Sequence, residues 1–212
     1  MRSEIQTGPQ NLGDSVLTTA RGGRQGEAIV SLAHSRYFEP TFRGAMFTGS
    51  TPAAGVTLPI FSNLTQQFGL YNPQGSGVVA VLKRCMLGYV SGTHVAGHVC
   101  YAYRTAVGVG EAAPATVTVV TPVNTLLGGG AAPKCRIYSP VTIATAAIYL
   151  RPMGLSQVVQ PATGVNAPWM MVDELDGEII LGDNTMLFVA CNVAAGLGAV
   201  AAALSWEEVP GL

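Results

Sequence analysis

Short apolar segments, each bounded by glycine, proline, asparagine or serine, follow one another along the chain from residue 27. Runs of this kind, enriched in β-branched and aromatic residues, are typical of β-sandwiches and barrels. The pattern therefore predicts an all-β protein, an antiparallel β-sandwich. The predicted strands cover residues 27–33, 37–47 (an edge strand bent at Pro40), 78–90, 98–104, 115–120, 132–138, 141–150, 178–181, 186–193 and 199–207.

Turn-forming residues predict how some of these strands are connected. Residues 70–77 are dense in turn formers, and residues 182–184 and 195–198 suit hairpin turns. We also expect strand 98–104 to pair back on strand 78–90. A helix over residues 194–204 is disfavoured, because Gly196 and Gly198 each cost about 1 kcal/mol relative to alanine.

The first 26 residues differ from the rest. They are rich in glycine, glutamine, serine, threonine and arginine, with few bulky apolar positions. Such a segment cannot close a core of its own. The sequence thus predicts an extended N-terminal arm over residues 1–26 and a single β-sandwich domain over residues 27–212.

Composition adds a statement about the surface. Charged residues make up 11% of the chain and hydrophobic residues 49%, whereas charged residues make up about a quarter of an average soluble domain. Much of the surface must therefore be uncharged, which suits burial against other copies or neighbouring subunits. A net charge of −1 gives no reason to expect direct binding of nucleic acid.

Membrane insertion and secretion are also disfavoured. The most apolar stretch, residues 186–204, is interrupted by Asn192 and two glycines, and a membrane helix needs about 20 predominantly apolar residues. The start of the chain lacks the apolar core of a secretory signal. The cysteines are far apart and lie in apolar segments, which predicts reduced, buried thiols made in a cytoplasm: Cys85, Cys100, Cys135 and Cys191.

Two groups of residues are candidates for ion binding. His94, His98 and Cys100 are the nearest approach to a metal site, although a fourth ligand is missing locally. Residues 173–178 hold four carboxylates (Asp173, Glu174, Asp176 and Glu178). We interpret the first group as exposed loop histidines with a core cysteine, and the second as a solvated turn that leads into a strand. Cation binding at residues 173–178 is left open.

No sequence pattern indicates catalysis. The chain has no nucleophile elbow, phosphate-binding loop or dinucleotide fingerprint. Gly128, Gly129 and Gly130 precede Ala131 and not a lysine, so we expect a flexible surface loop there. We predict that the protein is not an enzyme and uses no cofactor.

Interface residues are expected in two places. Residues Pro168, Trp169, Met170 and Met171 form a bulky apolar cluster in a segment that resembles a loop, and such a cluster is typical of a protein contact when it is exposed. The arm adds Arg21 and Arg24. Alternatively, Trp169 and Trp206 could stack on sugar rings, as in a lectin.

The turn and strand sequences resemble those of one class of protein. The run from Gly69 to Val78 leads into Leu87 to Thr93, and the chain continues with residues 121–127, residues 176–178 and a closing segment at residues 204–210. Together these resemble virion structural proteins of tailed bacteriophages, in particular small β-sandwich proteins of the capsid-decoration or cement type.

This resemblance implies a jelly-roll-like sandwich, no catalysis and many symmetrically arranged copies in a virion that is assembled in the host cytoplasm. The implied partners are the chain itself and the major capsid protein or other virion subunits. The expected function is therefore that of a decoration or cement protein that stabilises the phage head. The alternative is a receptor- or carbohydrate-binding module of a phage tail, fibre or vertex.

Overall fold

The computed structural model describes residues 36–92, 97–105, 116–156, 170–193 and 198–211. The chain divides into a unit of residues 1–39 and a unit of residues 40–212, and all of the described strands lie in the second. The bounds are α1 Phe38–Phe42, β1 Met46–Ser50, β2 Val56–Thr57, β3 Thr65–Gln66, β4 Gly69–Asn72, β5 Val78–Ser91, β6 Gly97–Thr105, β7 Thr116–Val120, β8 Val123–Asn124, β9 Arg136–Thr142, β10 Ile148–Ser156, β11 Met170–Glu174, β12 Ile180–Leu181, β13 Thr185–Cys191 and β14 Ala199–Pro210.

The named strands form two antiparallel sheets. In the first, which we call the β14 sheet, the order is β11-β5-β14-β1-β8, with β12 also paired to β5 and β2 to β14. In the second, the β13 sheet, the order is β10-β6-β13-β4-β9-β3, with β7 also paired to β9. The prediction of an all-β, antiparallel sandwich is confirmed.

The main core lies between the sheets and depends on β14. Its residues alternate between buried and half-buried from Ala199 to Trp206, so that one side of the strand faces the core. The inward residues, Val200, Ala202, Leu204 and Trp206, pack in one cluster with residues of the β13 sheet. The Trp206 ring stacks on Phe47 with 6.0 Å between centroids.

The β13 sheet is also covered on its outer face. A second buried cluster there contains Tyr71, Tyr138 and Phe188 from the strands, together with Ile143 and Ala147 from a connecting segment. With apolar neighbours on both faces, β13 is buried at six of its seven positions. This explains why the sequence of this strand reads as a continuous apolar run.

One carboxylate connects the two sheets at one end of the sandwich. Glu208, on β14, accepts hydrogen bonds from the backbone N–H groups of Lys134 and Cys135, which immediately precede β9. It also accepts one from the Trp206 indole at 3.3 Å. These bonds fix the start of β9 against the other sheet.

The three predicted strand pairings are wrong. Strand β6 lies in the β13 sheet, between β10 and β13, and not beside β5. Residues 182–184 join β12 to β13, which lie in different sheets, and β13 and β14 likewise lie in different sheets. Local turn chemistry does not decide whether the next strand joins the same sheet or the opposite one.

Some predicted boundaries also need correction. Residues 70–72, predicted as part of a turn, belong to the fully buried strand β4. The segment from residue 132 to residue 150 contributes strands at Arg136–Thr142 and Ile148–Ser156, later than expected. Strand β11 occupies residues 170–174, where the sequence pattern predicts a loop.

The predicted edge strand at residues 37–47 is wrong as well. Helix α1 occupies Phe38–Phe42 and strand β1 begins only at Met46. Pro40 is tolerated in the first helical turn, where its missing N–H would have no partner. The helix ends in a Schellman motif, in which Ala45 N donates to Pro40 O and Gly44 N to Thr41 O, and Gly44 supplies the required positive φ of 68°.

Strand β14 offers a direct test of this arrangement, since neighbouring residues face opposite ways. Leu204→Ala should lower the free energy of unfolding by about 2–5 kcal/mol, because a fully buried leucine is replaced by a cavity. Ala203→Ser, on the outer side of the same strand, should change it by less than about 0.5 kcal/mol. Urea unfolding of both variants measures this, and equal losses would contradict the assigned inward face.

Candidate interaction surface

Strands β10, β11 and β12 form one side of the sandwich, which we call the β10–β11 edge. Among the described strands, β10 pairs only with β6, and β11 and β12 pair only with β5. Arg151 of β10 reaches across to Asp173 of β11, so the terminal strands of the two sheets lie next to each other. This edge holds both the acidic segment and part of the apolar cluster singled out in the sequence.

The polar centre of the edge is a partly buried network. Arg151 Nη2 lies 3.2 Å from Asp173 Oδ2 and 3.2 Å from Glu178 Oε2. The Tyr101 hydroxyl donates to Asp173 Oδ2 at 2.9 Å, and the Arg151 guanidinium lies 5.3 Å from the centroid of the Tyr101 ring. Burial raises the pKa of Tyr101, and the neighbouring Cys85 and Asp173 raise it further. Tyr101 therefore remains a protonated donor.

Arginines contact the carboxylates of Asp173, Glu174 and Glu178. Besides the Arg151 contacts, Glu174 Oε1 lies 2.6 Å from Arg84 Nε. Asp176 and Gly177 have positive φ and form a turn, after which the chain enters β12. Within the described part of the chain, no group of three histidine, cysteine, aspartate or glutamate side chains has a geometry that could hold a metal ion.

The rest of the edge is apolar. Its exposed side chains include Met170, with 77% of its surface accessible, Ile180, with 56%, and Ile148, Leu150 and Val172. Edge strands of soluble proteins usually carry charges or proline that prevent pairing with other chains. Strands β10 and β11 carry such residues as well, among them Arg151, Pro152 and Asp173, but the exposed apolar side chains beside them form a surface that is suited to being covered.

An uncharged band continues from this edge across the outer face of the β14 sheet. Val172 of β11 pairs with Met86 of β5, which in turn pairs with Ala203 of β14. The adjacent row runs from Met170 through Gly88 to Ala201. Gly88, Ala201 and Ala203 have small side chains or none, so another surface can approach the backbone closely at these positions.

A cavity of about 320 Å³ opens at the same edge. Leu181 and Leu187, both almost fully buried, form its base. Tyr103, Leu150 and Ile180 form apolar walls, and Glu178 and two threonines add polar atoms. The cavity is therefore suited to an apolar group with a polar neighbour.

Of the predicted interface residues, the structure describes only Met170 and Met171, and these two have different surroundings. Met170 and Met171 belong to strand β11, where Met170 is exposed and Met171 packs against the core. A strand directs successive side chains to opposite faces, so the two methionines do not act together. Arg21, Arg24, Pro168 and Trp169 lie outside the described residues.

Two of the three candidate metal ligands, His98 and Cys100, lie among the described residues. His98 lies 3.3 Å from the Tyr149 hydroxyl through Nε2 and packs edge-on against that ring. Cys100 is fully buried, and His94 lies outside the described residues. Trp206, which was considered for sugar stacking, is fully buried in the core and cannot meet a sugar.

The prediction of buried, reduced thiols is confirmed, since all four cysteines are free and buried. Burial raises the pKa of Cys85 and of Cys100 from 9.0 to about 12. It also raises the pKa of Cys135 and Cys191. Thiols that stay protonated in this way are poor nucleophiles, so none of the four is a catalytic candidate.

Sequence reasoning missed Arg151 and Tyr101. Asp173 and Glu178 are 22 and 27 residues away from Arg151 along the chain, so no local spacing reveals the network. The available indication was a single arginine within the apolar segment at residues 148–153. A cation in such a strand usually has a partner.

Comparisons of this chain with protein-family models, with curated proteins and with solved structures found no match. No described helix has the length and apolar character needed to cross a membrane.

The cysteines give a test of burial. At pH 8 a thiol reagent should react with none of them in the native protein and with all four in denaturant. Ser91→Cys, at an exposed position of β5, should react at once and is the control. Rapid native labelling of the unmodified protein would contradict the buried assignment.

The raised pKa of the buried thiols also predicts how stability depends on pH. The thiols have a pKa near 9 in the unfolded chain and a higher pKa in the folded protein. Their contribution to the free energy of unfolding should therefore be fully present below about pH 8 and should fall as the pH rises above 9.

The Arg151 network gives a second test. Asp173→Ala should cost about 1–3 kcal/mol of unfolding free energy, because the Tyr101 hydroxyl loses its acceptor in a buried position. Glu178→Ala should cost less than about 1 kcal/mol, since Glu178 is exposed and its ion pair is screened by water. Urea unfolding distinguishes the two, and an equally small loss for both would show that the network adds little stability.

Proposed function

We propose that this chain is a non-enzymatic virion structural protein of the tailed-phage type, a capsid decoration or cement protein that binds other copies of itself and neighbouring virion subunits. The observation that carries the proposal is the apolar β10–β11 edge, where exposed side chains such as Met170, Val172 and Ile180 occupy terminal strands. An edge of this composition favours association.

The strand order supports the jelly-roll part of the proposal. When β7, β9 and the two-residue strands are left aside, the β14 sheet contains the order β1-β14-β5-β11 and the β13 sheet contains β4-β13-β6-β10. Along the chain these strands alternate between the sheets at every step except from β6 to β10. Two four-stranded sheets filled by such alternation make a jelly roll, an architecture of viral capsid and lectin domains. Fold alone does not assign function, so this observation supports the proposal without carrying it.

The mechanism of attachment is burial of apolar surface. Removing apolar area from water contributes about 25 cal/mol per Å², and a stable interface buries about 800 Å² on each partner. The charges along the edge contribute little to partners, because Arg151 and Arg84 already contact carboxylates of the same chain. The uncharged band on the β14 sheet extends the surface available for contact.

The alternative function, a receptor- or carbohydrate-binding module, has less support. Trp206 is unavailable for sugar stacking, and Trp169 lies outside the described residues. A glycan array with the purified chain addresses this alternative directly, and a specific glycan ligand would favour it.

The proposal is tested by the salt dependence of association. We expect assemblies of the chain, followed by sedimentation velocity, to persist between about 0.1 and 1 M salt, where the screening length falls from about 10 to 3 Å. Met170→Lys should weaken association at all salt concentrations, whereas Leu64→Lys, in an exposed loop outside the edge, should not. Dissociation by salt alone would contradict a mainly apolar contact.

A second experiment tests the proposal on purified virus particles. Quantitative mass spectrometry of purified virions from the producing culture should find this chain in many copies. A few copies for each particle would favour a tail or vertex part, and absence from particles would overturn the proposal.

A further inference from the structure

The loop between β8 and β9 presents one apolar side chain to solvent. Leu127 is 81% exposed, the highest value among the large hydrophobic residues that the structure describes. Leucines on exposed turns gain nothing for their own fold, since the side chain is not removed from water. The sequence predicts a flexible surface loop here; the structure places residues 127–131 at the surface and gives the loop several hydrogen bonds.

Asn124 is hydrogen-bonded within this loop and to Gly44. Its Oδ1 accepts a hydrogen bond from Leu126 N at 2.9 Å, and its Nδ2 donates to Gly44 O at 2.6 Å and to Ala131 O at 3.3 Å. Gly129 N donates to Leu126 O at 3.0 Å. Asn124 is thereby bonded to both ends of the turn that carries Leu127.

Gly130 allows this close packing. Its φ is +89°, and a Cβ at this position would lie 2.4 Å from Asn124 Nδ2. Gly128, with φ of +81°, completes the turn. A turn hydrogen-bonded in this way presents Leu127 at its tip and reduces the conformational entropy that is lost on binding.

The cavity at the β10–β11 edge has the size and the apolar lining to receive such a side chain. Its volume of about 320 Å³ exceeds the roughly 150 Å³ of an apolar cavity that accepts a benzene ring, so a leucine side chain fits. Leu181 and Leu187 at the base and Leu150 and Ile180 at the walls provide apolar contacts.

The loop and the cavity lie on opposite sides of the sandwich and at the same end. In the β14 sheet, β8 is the last strand on one side, and β11 and β12 are on the other. Thr125 N bonds to Met46 O, and Met46 pairs with Glu207. On the other side Leu181 pairs with Ala80, which pairs with Glu208. Both features are therefore level with residues 207–208 of β14.

We propose that Leu127 of one copy inserts into this cavity of the next copy, so that copies associate side by side, head to tail. The inference rests on the proposed structural function and names its contact. Because the two contacting surfaces differ, each copy offers one free loop and one free cavity. Such a contact closes into a ring if the rotation between copies allows it, and otherwise extends as a filament.

Charge substitutions test the contact. Leu127→Asp and Ile180→Lys should each weaken self-association about tenfold to a hundredfold, the effect of losing one buried aliphatic side chain. The double variant, which brings the new carboxylate of one copy next to the new ammonium group of the next at every contact, should regain part of the loss. Val119→Asp, exposed by 59% on β7, is the matched control and should associate like the unmodified chain. Circular dichroism verifies that all variants fold.

A cross-linking experiment tests the geometry. A chain carrying both Leu127→Cys and Leu150→Cys should form a disulfide-linked ladder on mild oxidation, whereas a mixture of the two single variants should stop at dimers. Val119→Cys combined with Leu150→Cys should form no ladder. Absence of the first ladder, while the unmodified chain assembles, would overturn this contact.

The outcomes separate the two proposals. If Leu127→Asp assembles like the unmodified chain, the Leu127 contact is wrong and the structural function stands. If the unmodified chain does not associate and is absent from virions, both are wrong.

Discussion

The structure depends on the alternation of strand β14, which buries one side chain in two between the sheets. Val200, Ala202, Leu204 and Trp206 face the core, while β5 and β1 pair along both edges of the strand. A shift of one residue in register would expose this whole apolar set. The alternation therefore fixes the register of the β14 sheet, and with it the positions of β11 and β12 at one side and of the Leu127 loop at the other.

The packing of the two sheets is related to the small number of charged residues in the chain. Strand β13 is buried at every position from Met186 to Cys191, and its sequence is apolar throughout that range. The outer face of the β14 sheet is covered by none of the described strands, and beside the uncharged band its strands carry the ion pairs Lys83–Glu207 and Arg84–Glu174. The described charges of the β10–β11 edge are used within the chain, by Arg151 and Arg84 with carboxylates of residues 173–178. What the edge offers to another molecule is consequently apolar surface and a cavity.

The sequence predicted the fold class because the periodicity of an individual strand is a local property. It did not predict the sheet to which each strand belongs, as β6, β13 and β14 show. Turns with glycine and asparagine reverse the chain in a hairpin and in a crossover between sheets alike. Helix α1 was missed because its end depends on Gly44 and two backbone hydrogen bonds, which outweigh the weak strand pattern around Pro40. Of the candidate site, the acidic residues were recognised but their partners were not, since Arg151 meets Asp173 only when the two sheets pack.

The amino-acid sequence by itself determined that this protein is built of short antiparallel strands, that its thiols are buried, and that much of its surface is uncharged, because these properties follow from residue type and local spacing. Only the tertiary structure decided that the acidic segment is held by arginines, that Trp206 belongs to the core, and that Leu127 and the cavity lie on opposite sides at one end. Those relations join residues that are distant along the chain, and the packing of two sheets, which no local pattern encodes, sets the distances between them.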